Sequence, residues 1–332
     1  MNNKYIIYYW SSDTQNNSGE GILGNLFIYD IKRHFKGFTL ININKKEENH
    51  NTFHKKYILN FIGALKLWKY YLSGHKIVYV NYLPIWNFFI FLILPPQTIL
   101  GPITGSLIYN QKTLLNFFLR RILLNIAINI SLLIIFWRYK KILFSTELLK
   151  TCIKKNQLKK VYFNYALKSF RGFSNKKTKR NIDFLIYHRD HNNKNNSMVN
   201  YFIKNISDKK YKIVVIGDKI NSNNIKNMGY VDRSYVKKLL QRTKYTFGSS
   251  ENLYTLFVMD AISKDVLIFY DQDLNDFNTE IEYNKMVPLN FKNKKNSLKF
   301  LLDYISKSKK NSKKNFFKKK KFNQYFQQQY KN

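Results

Sequence analysis

Residues 229–271 read GYVDRSYVKKLLQRTKYTFGSSENLYTLFVMDAISKDVLIFYD. A Gly-Tyr-Val turn leads into a helix over residues 233–241, and an apolar strand follows at 245–247. Next come the polar loop Gly248-Ser249-Ser250-Glu251, a helix from Tyr254 that carries Asp260, and a second strand at 266–270. Two short apolar strands joined through a helix make a βαβ unit, with parallel strands and a right-handed crossover. Glu251 stands at the carboxyl end of one strand and just before a helix N-terminus. A carboxylate there can accept hydrogen bonds from ligand hydroxyls while neighbouring N–H groups face an anion; it also complements the helix dipole.

The same alternation extends outward through the chain. Further strands are expected at residues 5–10, 38–43, 76–80, 97–100 and 141–144, then at 182–187 and 212–216. All read as continuous apolar runs, which suits parallel strands covered on both faces. Helices are expected at 24–35, 55–72, 112–139 and 198–206. The fold class is therefore α/β, with open doubly wound parallel sheets. The polar stretch 168–179 separates two clusters of βαβ units. Two Rossmann-like domains are expected, over 1–165 and 166–305, facing across a cleft, with a Lys-rich tail over 306–332. Ligands of such sheets bind beyond the carboxyl ends of the strands, so the loops there carry the search.

Composition narrows the class further. The chain has 332 residues and a formal net charge of +37, from 57 Lys plus Arg against 20 Asp plus Glu. Only 9 of the basic residues are Arg, and Gly (12) and Pro (5) are scarce. A hydrophobic content of 45% supports real cores and excludes disorder throughout. The single cysteine, Cys152, excludes a disulfide framework and a Cys-cluster metal site. Residues 85–94 are too short to cross a bilayer. Residues 122–137 approach the lower limit, but Asn125, Asn129 and Ser131 interrupt them, and basic residues flank both ends. A core helix, or one lying in the membrane interface, fits better than a span. No secretory signal opens the sequence, so a cytoplasmic location is expected.

Three more loops could carry chemistry. Residues 11–31, SSDTQNNSGEGILGNLFIYDI, hold Gly19, Gly21 and Gly24 ahead of a helix expected near Gly24, a place that favours anions. Their spacing fits neither the dinucleotide-binding nor the P-loop fingerprint. Residues 99–106, ILGPITGS, place Gly101, Pro102 and Gly105 in a tight loop, a concentration that implies a shape requirement in so glycine-poor a chain. Residues 186–195, IYHRDHNNKN, put Arg189 and Lys194 beyond a strand end, where two cations can hold a diphosphate or stand in solvent. His188 and His191 lack a metal-ligand spacing. The tail runs KSKKNSKKN and KKKKF suit either a solvated terminus or attraction to anionic headgroups. Nothing matches a nucleic-acid-binding motif.

These segments resemble glycosyltransferases of the GT-B fold, particularly the retaining, nucleotide-sugar-dependent group. HRDHNNK (188–194) keeps that family's Arg-to-Lys spacing, with His188 in place of a glycine. GYVDRSYVKKLL matches its turn and helix, and SSENLYTLFVMDAISKDVLIF matches its donor loop. The family's second carboxylate falls at Met259; the acidic residue here is Asp260, one place later. Leu253-Tyr254-Thr255 replace its Phe-Gly.

The resemblance implies a nucleotide-diphosphate sugar as donor, with Arg189 and Lys194 neutralising the diphosphate and Glu251 holding sugar hydroxyls. Asp260 would reach the ribose, and Ser250, Asn252, Leu253 and Tyr254 would complete the donor loop with Gly21 and Gly24. Gly101, Pro102 and Gly105 would face the acceptor, a glycan or lipid-linked sugar of a cell-surface polysaccharide. No metal or other cofactor and no nucleic-acid partner are expected, and the protein is expected on the anionic inner face of the cytoplasmic membrane. The competing readings are a non-catalytic sugar-nucleotide-binding protein of the same fold and a membrane-associated polysaccharide-assembly protein.

Overall fold

Ile, Val, Phe and Tyr fill short runs, the most deeply buried at 76–79, 182–188 and 213–217, and the paired strands among the described residues are all parallel. The computed structural model describes residues 5–14, 18–44, 58–81, 83–105, 122–170, 172–173, 178–190, 196–206, 211–223, 225–277, 280–307 and 325–326. It divides into two compact units, the first comprising Met1–Leu107, Lys112–Ser169 and Lys320–Asn332, the second Ile108–Gln111 and Phe170–Lys319.

The first unit is built on strands β1 (Ile6–Trp10), β2 (Thr39–Asn42), β3 (Lys76–Tyr79) and β4 (Ile99–Leu100), in the order β2-β1-β3-β4. A parallel bridge from Ile103 to Phe144 leads on to the pair β5 (Ile142–Leu143) and β6 (Val161–Tyr162). Helices α2 (Leu59–Leu72), α3 (Phe88–Ile93) and α4 (Leu124–Arg138) share one core with Trp10, Tyr79 and Leu100. Helix α1 (Gly19–His34) closes a separate core containing Ile7, Phe27 and Val80. Ser18 caps α1, its hydroxyl accepting from the Gly21 N–H at 2.8 Å. The helix therefore begins at Gly19, not near Gly24.

The second unit is the site-bearing one. Its strands are β7 (Ile182–His188), β8 (Ile213–Gly217), β9 (Ile225–Asn227), β10 (Thr243–Phe247), β11 (Leu267–Asp271) and β12 (Met286–Leu289). They lie in the order β12-β11-β10-β7-β8-β9. From β7 the chain steps outward to β8 and β9, then returns to the other side of β7 through β10, β11 and β12. This reversal is a topological switch point, between β7 and β10. Helix α5 (Ser197–Ile206) buries Met198, Phe202 and Ile206 at helical spacing against Phe184 and Phe247. Helices α6 (Arg233–Gln241), α7 (Leu256–Ser263) and α8 (Lys294–Lys307) complete the unit. Strands β6, β9 and β12 and helices α3 and α8 are additions to the sequence reading.

The C-terminal residues depart from a simple tail over 306–332. Tyr325 and Phe326 are fully buried in the first unit. The Tyr325 hydroxyl donates to the Leu100 carbonyl at 2.6 Å, and Phe326 packs on Phe27 and stacks on His34 at 4.8 Å between ring centres. Lys168, expected in a polar linker, binds the buried carboxylate of Asp30, which also accepts from the Tyr165 hydroxyl at 2.8 Å. Phe326→Ala should therefore destabilise the protein by about 3–5 kcal/mol, the usual cost of emptying a buried phenylalanine site. Chemical denaturation reads this directly, and an unchanged midpoint would show that Phe326 is not part of the core.

Candidate functional site

Three loops at the carboxyl ends of β7, β8 and β9 are tied together by one aspartate. Asp218, just past β8, accepts from the Asp190 N–H at 2.7 Å and from the Tyr230 hydroxyl at 2.6 Å. Tyr230 belongs to the Gly-Tyr-Val turn, whose Gly229 lies at φ +67° and accepts at its carbonyl from the Gly217 N–H at 2.9 Å. The hydrogen bond from Tyr230, then that from Asp190, hold the Asp218 carboxyl below the usual aspartate range. Arg189 is exposed between His188 and Asp190, and its carbonyl accepts from Asn196 at 2.8 Å. Asp218 lies outside every motif read in the sequence, and Tyr230 stands in the Gly-Tyr-Val turn with no role of its own assigned there; the Gly229 turn was the only signal near them.

His188 is buried at the end of β7, with Nδ1 3.2 Å from the Asp218 carbonyl. The close backbone approach is made instead by Gly217 on β8. It lies at φ +93°, and a Cβ there would come within 2.2 Å of the His188 carbonyl oxygen. Any side chain would push the two strand ends apart.

Across the switch point, β10 runs into residues 248–252. Gly248 donates to the Phe269 carbonyl at 2.7 Å, and a Cβ on it would meet Leu253 at 2.7 Å. Leu253 and Tyr254 are buried, whereas Ser250, Glu251 and Asn252 are half-buried. The Ser249 hydroxyl accepts from the Glu251 N–H at 3.3 Å, which folds the loop back before Thr255 caps α7 through the Val258 N–H. The Asn252 side-chain oxygen is buried and accepts no hydrogen bond from the described residues. Helix α7 then carries Asp260 inward. Its carboxylate is gripped by Arg233 of α6, Nε donating at 2.6 Å and Nη2 at 2.9 Å, with the Lys237 ammonium 3.6 Å away.

The structure thus brings Arg189 and residues Ser250, Glu251 and Asn252 to the carboxyl ends of adjacent strands in one unit. Lys194 and His191 lie outside the described residues. Among the described residues no group of three or more His, Cys, Asp or Glu side chains could hold a metal ion. No helix of the described residues is long and apolar enough to cross a membrane.

No protein-family model and no curated protein matches the sequence. Solved structures do. Sucrose-phosphate synthase from Thermosynechococcus elongatus superposes with a TM-score of 0.51 at 9% identity, over 91% of this chain and 90% of that one. The UDP-GlcNAc 2-epimerase of Methanocaldococcus jannaschii gives 0.50 at 11% identity, over 94% of each chain. The chain has a GT-B glycosyltransferase-like fold.

In this GT-B-like chain several glycines of the first unit, Gly24, Gly63, Gly101 and Gly105, sit against close neighbours. Gly21 lies inside the first turn of α1, and a Cβ on Gly24 would stand 3.1 Å from the Asn81 amide. Asn81, just past β3, accepts from the Ser12 N–H at 3.0 Å and the Ser11 hydroxyl at 3.2 Å, which holds the loop after β1. A Cβ on Gly101 would lie 1.8 Å from the Val80 carbonyl oxygen, and one on Gly105 2.5 Å from Leu149. Pro102 between them is buried. Core packing therefore constrains the shape of that loop.

Two outcomes follow. Arg233→Ala leaves the buried Asp260 carboxylate with Lys237 alone and should cost about 3–5 kcal/mol in denaturation, far more than Lys237→Ala. Asp218, with its folded value depressed, contributes stability above the ordinary aspartate value near 3.8, and loses it as pH falls through the lower folded value. Tyr230→Phe removes the main cause, so its stability deficit should be present at pH 7 and narrow below pH 3.8. A deficit that widens in acid would contradict the assignment.

Proposed function

We propose that the protein is a glycosyltransferase that binds a nucleotide-diphosphate sugar at the switch point of the second unit. The observation that carries this reading is the flanking of that point by Arg189 at the end of β7 and residues 248–252 at the end of β10. Doubly wound sheets bind ligands in this crevice. The epimerase of like fold was solved with UDP-GlcNAc and UDP, in keeping with this donor class.

Negative charge develops on the diphosphate as the sugar leaves. Arg189, through its planar fork, and Lys194, as a point charge, would neutralise it, the work that a divalent cation does in other transferases. Glu251 would accept hydrogen bonds from the sugar hydroxyls, with Ser250 and Asn252 beside it in the donor loop. Asp260 acts in this reading as a positioning residue, holding α7 against α6 through Arg233, rather than as a ribose ligand. A sugar-bearing glycan or lipid is the acceptor class this reading favours.

A panel of UDP-, GDP- and ADP-sugars, read by thermal shift and by release of nucleoside diphosphate, tests the proposal. One donor should raise the melting temperature and be consumed in the presence of acceptor glycans. Arg189→Ala and Lys194→Ala should each lower turnover by about a hundredfold, with unchanged melting temperature in the absence of donor. Unchanged turnover in both variants would remove the mechanism. Isomerisation of the bound sugar without release of diphosphate would assign epimerase chemistry instead.

A further inference from the structure

We infer that the outer face of α2, α3 and α4 in the first unit docks on the surface of an anionic lipid bilayer. The inference does not rest on the nucleotide-sugar reading. The three helices form one plate. The Trp68 indole of α2 donates to the Ile93 carbonyl of α3 at 2.7 Å. Arg138, at the end of α4, donates to the Phe91 and Leu94 carbonyls of α3, both at 2.6 Å. The inner faces share a single core.

The outer faces are apolar at helical spacing. On α2 the stripe Ile62, Leu65, Leu72 points outward, Leu65 62% and Leu72 76% exposed. On α3 it is Phe89 and Leu92, with Trp86 just ahead. On α4 it is Ile126, Leu133 and Trp137, Leu133 66% and Trp137 81% exposed, with Asn125 and Asn129 the exposed polar residues among them. Among the described residues every exposed Ile, Leu and Trp side chain lies between Ile58 and Trp137. Contiguous apolar surface of this kind marks an interaction site.

Charge selects the occupant. The sequence holds no Asp or Glu between Glu48 and Glu147. Lys66 and Lys69 interleave the apolar stripe of α2. Beside Trp137, Lys140 is exposed, Lys160 reaches the Phe136 carbonyl at 3.5 Å, and Lys141 donates to the Lys159 carbonyl at 3.0 Å. A face with Trp, Phe and Leu at its centre, lysines at its edge and no carboxylate in that stretch complements anionic headgroups above an apolar interior. At 15 residues α4 is short for a span, and its inner face is committed to the core, so it would lie in the interface.

Flotation of the full-length protein with vesicles tests the assignment. The chain should co-float with phosphatidylglycerol-containing vesicles and not with pure phosphatidylcholine. On binding, the emission of Trp137 should shift to the blue, a shift lost in Trp137→Phe. Leu133→Glu with Trp137→Glu, both at exposed positions, should lower partitioning about tenfold or more while thermal unfolding stays unchanged. If unfolding does change, Phe89→Glu alone should still lower partitioning. Replacing Lys309, Lys310, Lys313 and Lys314 of the tail by Gln should leave most of the binding. The assignment falls if tail replacement abolishes partitioning while the helix variants bind normally. It also falls if the lipid-free protein is a dimer that these variants dissociate and vesicles do not bind.

Discussion

The chain cannot cross from β7 to its other neighbour without reversing direction across the sheet, and the site depends on that reversal. Right-handed crossovers put α5, which follows β7, on one face of the sheet and α7, which follows β10, on the other. The core residues agree: α5 packs with Phe184 and Ile186, while Val258 and Ile262 of α7 are buried outside that cluster. The segments leaving β7 and β10 therefore diverge, and the carboxyl ends of the two strands are left without a covering helix. Arg189 leaves one of them and residues 248–252 leave the other.

That constraint was legible in the sequence because buried parallel strands are written as apolar runs. Residues 182–188 and 213–217 are apolar almost throughout, and nearly all of them are buried. Strand β9, IKN, was not legible: it is an edge strand with no fully buried residue, so its residues owe nothing to a core. Strand β12 was not legible for a different reason: Val287 and Leu289 are buried in the core, but Pro288 interrupts the run at the opposite edge, where a missing N–H costs nothing. Within the site, Glu251 and Arg189 could be found by their position after a strand. Asp218 could not, since its importance comes from receiving two donors from loops distant in sequence. Asp260 is legible through the resemblance as a ligand group; its bidentate partner Arg233 lies on another helix, beyond any spacing rule.

Glycine taught a related lesson. In a chain with only 12 glycines, their clustering at residues 19–24 and 101–105 invited a ligand reading. The contacts show instead where the backbone or a large ring leaves no room for a Cβ: Gly101 against the Val80 carbonyl, Gly63 against the Trp10 ring, Gly217 against the His188 carbonyl. Scarcity does make each glycine informative, but what it reports first is close packing. A Cβ at Gly101 or Gly105 would meet the Val80 carbonyl or the Leu149 side chain, so packing by itself already asks for glycine there.

The bias of the whole sequence toward Lys, Asn, Ile, Tyr and Phe raises a further question, because composition by itself would scatter lysine and apolar side chains over any surface. Distribution separates the two causes. Both units share the bias, so drift alone would expose aliphatic side chains on each. In the second unit the exposed large apolar residues are Phe173, Phe300 and three tyrosines, with no exposed Ile, Leu or Trp among the described residues. In the first unit the exposed aliphatic and indole side chains among the described residues are confined to three helices, bound edge to edge by Trp68 and Arg138, and the one or two residues just ahead of each. The carboxylates are excluded from the same stretch of sequence, although they occur on both sides of it. A uniform pressure on composition cannot produce that separation; a face with its own solvent can.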